Sequence, residues 1–182
     1  MYNEEEDINK LIDGCRKNDR KAQELLYRSY YRALMNLCLR YTRNEADALE
    51  VLNSGFYKVY KNIHSYSTLK GGFYTWARTI VINTCLDFIQ ARSAQPQWGE
   101  LEQATMAGLS PDVFASLSAA DILQLVRQLP PATQAVFNLY TMEGYSHKEI
   151  GELLHTSEGT SKWHLSEARK LLKQMISRQT NE

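Results

Sequence analysis

Two short stretches bring together side chains able to handle nucleic acid. In "EGYSHKEIGELLHTSEGTSKWHLSEARKLLKQ", residues 143–174, Thr160, Ser161, Lys162, Trp163 and His164 follow one another, and Lys162, Ser166, Arg169 and Lys173 recur at helical spacing. Hydroxyls, cations and imidazoles on the first turns of a helix suit phosphates and base edges in a major groove. In "GGFYTWARTIVINTCLDFIQAR", residues 71–92, Phe73, Tyr74 and Trp76 crowd a helix start beside Arg78, Thr79 and Asn83. Aromatic rings with polar neighbours suit stacking on unpaired bases and hydrogen bonding to their edges. Each pattern also has a plainer reading: a charged stripe can be a solvated helix face, and aromatic rings at helical spacing can be core.

Side chains for covalent or metal chemistry do not assemble in the same way. Cys15, Cys38 and Cys85 stand far apart with no CxxC pair, so they read as buried thiols. His64, His147, His155 and His164 give no HExxH, and neither G-x-S-x-G nor G-x-x-x-x-G-K-[ST] occurs. The expectation is a protein that is not an enzyme, with no cofactor, no metal and no small-molecule substrate.

The elements that must position these residues are helices. Ser146 with Glu149 makes an S-x-x-E capping box ahead of Ile150, Leu153 and Leu154. Past the "HTS" turn, Ser157 reads as the N-cap of a longer helix whose inner side carries Leu165, Ala168, Leu172 and Met175. Two helices joined in this way form a helix-turn-helix, with the second in the groove, unless they are an ordinary helical hairpin. Upstream, Ile8, Leu11, Ile12, Cys15, then Leu34, Leu37, Cys38, Tyr41, then Leu52, Gly55, Phe56, Val59 repeat the helical stripe. Breaks near Asn18, near Asn44 and at "STLKGG" divide residues 5–92 into a bundle of about four helices.

Residues 93–120 contain two prolines, two glycines and no Lys or Arg, which predicts a flexible linker. The helical pattern returns at Asp121 with Ile122, Leu125, Val126 and Leu129, and Pro130–Pro131 ends one helix and starts the next. The expected fold is all-α, with two small helical domains, 1–92 and 121–182, joined by that linker.

Charge constrains the partner. Residues 1–92 carry 14 Lys and Arg against 11 Asp and Glu, residues 93–120 carry none against three, and residues 121–182 carry seven against seven. No segment is strongly basic, which disfavours a protein that grips DNA unaided. No apolar run approaches a membrane span, and the acidic start "MYNEEEDINK" lacks the character of a signal peptide, so a cytoplasmic location is expected.

Taken together, "DALEVLNSGFYKVY", "FYTWARTIVINTCLDF" and "LPPATQAVFNLYTMEGYSHKEIGELLHTSEGTSKWHLSEARKLL" resemble the extracytoplasmic-function (ECF) group of sigma-70 family sigma factors, the promoter-recognition subunits of bacterial RNA polymerase. The resemblance covers almost the whole chain, with region 2 in the first domain and region 4 in the second. It implies that core RNA polymerase and promoter DNA are partners and that an anti-sigma factor, often at the membrane, is another. By the same resemblance Glu50, Asn53 and Lys58 lie on or beside the face that docks on polymerase, with Phe56 more a packing residue. Phe73, Tyr74, Trp76, Arg78, Thr79 and Asn83 belong to the part that opens the promoter and captures the −10 element, Asn83 meeting an extruded base. Thr160, Ser161, Lys162, His164 and Arg169 fall on the helix that reads the −35 element.

Departures from the family pattern mostly remove positive charge. Gln134 and Gln90 stand where Arg is usual, His155 where Gly is usual, and Glu167 where many members have Arg or a neutral residue; Glu50 and Asn53 replace the commoner Asp and Gln. A sigma factor reaches DNA within a larger complex, so two modest surfaces can act together despite neutral charge. The alternative is a stand-alone helix-turn-helix transcriptional regulator, which accounts for the second domain but not for "FYTWARTIVIN". A protein-binding helical adaptor would need no basic stripe at all.

Overall fold

The computed structural model describes residues 4–92 and 119–179; of the expected linker, 93–118 lies outside the described residues and 119–120 already belong to a helix. The described residues are helical throughout apart from short turns, without a strand. The chain divides into two compact units, Met1–Phe88 and Ile89–Glu182, the division falling within a helix that continues to Arg92.

In the first unit α1 (Glu4–Arg16) ends where Asn18 adopts φ 58°. Asp19 then caps α2 (Arg20–Tyr41), its carboxylate accepting from the Lys21 N–H at 2.9 Å, a contact worth about 1 kcal/mol. Asn44 caps α3 (Glu45–Lys61) by accepting from the Asp47 N–H at 2.8 Å, and Glu45 and Asp47 place negative charge at the positive end of the helix. Two 3-10 turns, Ile63–Ser65 and Thr68–Lys70, lead into α4 (Phe73–Arg92).

The periodic positions do what the spacing predicts. Leu34, Leu37, Cys38 and Tyr41 of α2 and Leu52, Gly55, Phe56 and Val59 of α3 are all buried. Each fully buried leucine among them contributes about 2 kcal/mol of transfer free energy. Ile12, Cys15, Leu26, Ile63, Tyr66 and Phe73 join one core cluster, against which Trp76 and Ile80 pack from α4.

The second unit comprises α5 (Ala119–Arg127), α6 (Pro131–Phe137), α7 (His147–Leu154) and α8 (Glu158–Gln179). Pro131 opens α6 where its missing N–H is of no consequence, and α6 runs on into a wider π turn, Asn138–Met142. Both halves of the Ser146–Glu149 capping box form at the start of α7. The α7–α8 turn passes through His155 in the left-handed region, φ 52°, which explains the usual preference for glycine at that position. Gly151 lets the turn fold back closely: a Cβ there would lie 2.9 Å from the Thr156 carbonyl oxygen. The long helix α8 packs on α6 and α7, burying Leu165, Ala168, Leu172 and Ile176.

Candidate nucleic-acid interface

The loop between α3 and α4 and the first turns of α4 enclose a recess of about 460 Å³. Ser65, Ser67, Lys70 and Gly71 form its loop side, while Thr75, Trp76, Thr79 and Ile80 form its helix side. Gly71 turns the chain at φ 131°, a conformation that side chains rarely adopt, and so opens the entrance to α4. Trp76 is half-buried and serves two purposes: its ring packs 5.4 Å from Tyr66 and 5.7 Å from Phe73, and it also lines the recess. An apolar wall with hydroxyls and a cation around it provides stacking surface and hydrogen-bond partners together.

The other expected −10 residues separate by burial. Phe73, expected at the −10 element, is 3% exposed and packs in the core, its ring meeting Tyr30 and Tyr66. Tyr74 is exposed and stacks on Tyr30, their rings 6.1 Å apart. Arg78 is half-buried. Thr79 is exposed with its hydroxyl donating to the Thr75 carbonyl at 3.1 Å. Exposed Asn83 follows one helical turn later on the same face, beyond the recess. Lys70 and Thr75, which line the recess, were not singled out in the sequence, where Lys70 reads as part of a loop and Thr75 as a spacer between two aromatic residues.

On α3, Glu50 and Asn53 are exposed while Phe56 is 2% exposed, its ring against Tyr27 and Tyr60. The Tyr27 hydroxyl donates to Asn53 Oδ1 at 2.9 Å, fixing that side chain to α2. Lys58 Nζ lies 2.8 Å from Asp87 on α4, an exposed ion pair that ties two helices but is worth little in stability.

The second unit changes the sequence-based list more. Thr160, Ser161 and His164 are 6%, 0% and 4% exposed, so they do not face a groove. They lie on the inner side of α8 with Leu165 and Ala168, and each finds an internal partner. Thr160 Oγ1 meets the Ser157 hydroxyl at 2.8 Å, Ser161 Oγ meets His147 Nδ1 at 2.9 Å, and His164 Nδ1 meets the Thr133 hydroxyl at 3.1 Å. These internal bonds help to seat the helix. A polar residue type at the start of a helix does not reveal which way it faces when the inner contacts are themselves polar.

The outer side retains Lys162, Ser166, Arg169 and Lys173. Lys162 is exposed and pairs with Glu158 at 2.7 Å, whereas Arg169 and Lys173 have no ion-pair partner among the described residues. Glu167 is half-buried, its carboxylate 3.5 Å from Lys170 Nζ, which tempers its repulsion toward a phosphate. Gln134 is buried at 4% exposure and Gln90 is exposed.

Electrostatics link the two helices at His147. Its ring stacks 4.5 Å from Tyr140, and burial first, then the Lys162 charge, hold its pKa below the usual histidine value. Burial does the same to His164. Hydrogen bonds from Ser146 hold Glu149 below the usual carboxylate range, which keeps the capping box charged. Among the described residues no cluster of His, Cys, Asp or Glu could hold a metal ion, and no helix is long and apolar enough to cross a membrane.

Comparison with known proteins matches this arrangement segment by segment. Residues 26–95 match the family model described as Sigma-70 region 2, and residues 119–172 match Sigma-70, region 4, together more than half of the chain. The RNA polymerase sigma-H factor of Pseudomonas aeruginosa is 24% identical over 94% of this chain and 94% of its own length. The ECF RNA polymerase sigma-E factor of Haemophilus influenzae is 24% identical over 91% of this chain and 93% of its own. Among solved structures, the sigma factor RpoE in complex with the anti-sigma factor NepR from Bartonella quintana superposes with a TM-score of 0.55 at 16% identity, over 85% of this chain and 96% of that one. With region 2 and region 4 present in order, each on its own helical unit, the chain belongs to the sigma-70 family and resembles its ECF sigma factors.

Proposed function

We infer that this chain is a sigma factor that engages core RNA polymerase and directs it to specific promoters, the first unit taking the −10 element and the second the −35 element. The observation that carries this reading is the pairing, in one chain, of a region 2 unit bearing the Trp76 recess with a region 4 unit bearing a basic stripe on α8, Lys162 and Lys173 exposed and Arg169 half-buried. Opening a promoter requires a base to leave the stack, which costs a few kcal/mol, and a recess with a ring and hydroxyls offers compensation. Lys162 and Arg169 are the side chains best placed to meet phosphates or base edges, with Thr79 and Asn83 as their counterparts on α4.

Glu50, Asn53 and Lys58 form the polymerase-docking face in this reading. The chain itself performs no chemistry; polymerase does. Its working location is then the cytoplasm, and an anti-sigma factor holds it inactive, at the membrane where that partner resides there.

The test is transcription in vitro with core polymerase from the same source, a genomic fragment library, and sequencing of transcript starts. Defined starts that appear only with this protein, and vanish with Trp76→Ala plus Asn83→Ala, are the expected result. No specific transcript and no binding to core polymerase overturns the reading and favours the stand-alone regulator.

A further inference from the structure

We propose that Arg16, at the end of α1, is a positioning residue for the α3–α4 recess, acting through the backbone of Tyr66. The proposal rests on the reading of that recess as the site of promoter opening. It adds a residue before position 26, where the region 2 match begins.

The guanidinium of Arg16 uses both arms. Nη1 donates to Asp13 Oδ1 at 2.9 Å on the same helix, and Nη2 donates across to the carbonyl oxygen of Tyr66 at 2.9 Å. The first contact aims the fork and the second holds the loop. Tyr66 is the hub of that loop. Its neighbours Ser65 and Ser67 both line the recess, its hydroxyl donates to the Gly71 carbonyl at 3.3 Å, and its ring packs against Trp76. One hydrogen bond from α1 therefore adds to the packing on Phe73 and Trp76 that holds the residue from which the loop wall and the Trp76 wall are both set.

The bond contributes little to the bulk of the fold. Arg16 is about one-third exposed and reaches the core only through the backbone of Tyr66, whose side chain lies in the same cluster as Ile12, Cys15 and Leu26. Its loss lets the Ser65–Ser67 backbone shift while the rings of that cluster stay packed. A placement error at a site that must match an extruded base lowers the rate and blunts discrimination together.

The experiment uses the full chain assembled with core polymerase on a promoter that it opens, read by permanganate reactivity of unpaired thymines. Arg16→Ala is expected to slow opening about tenfold, the loss of one charge-assisted hydrogen bond. It should also flatten the preference among bases placed at each −10 position, with core affinity unchanged and the melting temperature lowered by no more than a few degrees. Arg16→Lys, which keeps the charge but cannot make both contacts at once, should lie between Arg16→Ala and the wild type, and Asp13→Asn should shift the same way by less. Unaltered opening and base preference in Arg16→Ala overturns the proposal, as does a loss that follows melting temperature or core affinity. Thr75→Ala plus Thr79→Ala, which alters the recess directly, separates the two ideas. If that variant loses opening and Arg16→Ala does not, Arg16 alone is misassigned. Normal opening in that variant overturns the recess reading and the proposal with it.

Discussion

The two units differ in how the side chains proposed to meet DNA relate to the core. In the first, aromatic rings that build the core also reach its surface: Trp76 packs on Tyr66 and Phe73 while lining the recess. In the second, α8 is divided lengthwise, with Thr160, Ser161 and His164 bonded inward and Lys162, Arg169 and Lys173 turned outward. Shared residues make function and stability hard to separate in the first unit. Division makes them separable in the second, because a charge can be removed there without opening the core.

The largest effect should appear where the roles are shared. Trp76→Ala should reduce promoter opening by about ten- to a hundredfold, the worth of one stacked base, and should also lower the melting temperature of the isolated chain. A loss of opening without any loss of stability would mean that the ring's packing role is dispensable. Next comes the buried side of α8. His164→Ala removes the partner of the Thr133 hydroxyl and should destabilise the second unit by about 1–3 kcal/mol in urea unfolding, with DNA binding lost only in proportion to folding. Lys162→Ala provides the contrast. Folding should be unchanged, while holoenzyme binding to promoter DNA weakens and its dependence on salt falls by about one unit of log–log slope.

Acid sharpens the comparison further. His147 and His164 have pKa values held down by burial, so between the usual histidine value and their lower folded-state values the unfolded chain binds more protons than the folded one. The second unit should therefore lose stability as pH falls through that window, before the first unit does. The first has no buried histidine among its described residues, its one histidine there, His64, being exposed. Separate unfolding of the units by amide hydrogen exchange at pH 7 and pH 5.5 checks this, and parallel loss in both would refute it. The smallest effect concerns the turn. His155→Gly relieves a left-handed residue and should stabilise the second unit by about 0.5–1 kcal/mol in the same urea titration.

Much of the architecture was legible because its signals are local. The stripe from Leu34 to Tyr41, the breaks at Asn18 and Asn44, the Ser146–Glu149 box and the double proline each depend on neighbours within a turn or two. The side chains of the candidate site were legible in type and less so in orientation. Trp76 and Asn83 sit on one helix as their spacing predicts, yet whether Phe73 faces out depends on Tyr66 across the loop and on Tyr30, far along the chain. Ser161 and His164 look like groove donors until His147 and Thr133 are brought beside them. Arg16 was invisible for the same reason, since its partner is a backbone oxygen fifty residues away that no side-chain pattern announces.

Gly151 sets what can vary in the second unit. The turn closes because an atom is missing there, so any larger residue would push against the Thr156 carbonyl and tilt α8 away from α7. The seating of α8 on α7 is thus set by the turn between them, and the outward side chains are free to be exchanged without disturbing it. On the proposed reading, such a helix behaves like a fixed type-holder with interchangeable letters: a descendant of this protein would come to prefer a new upstream sequence by a few surface replacements rather than by turning the holder.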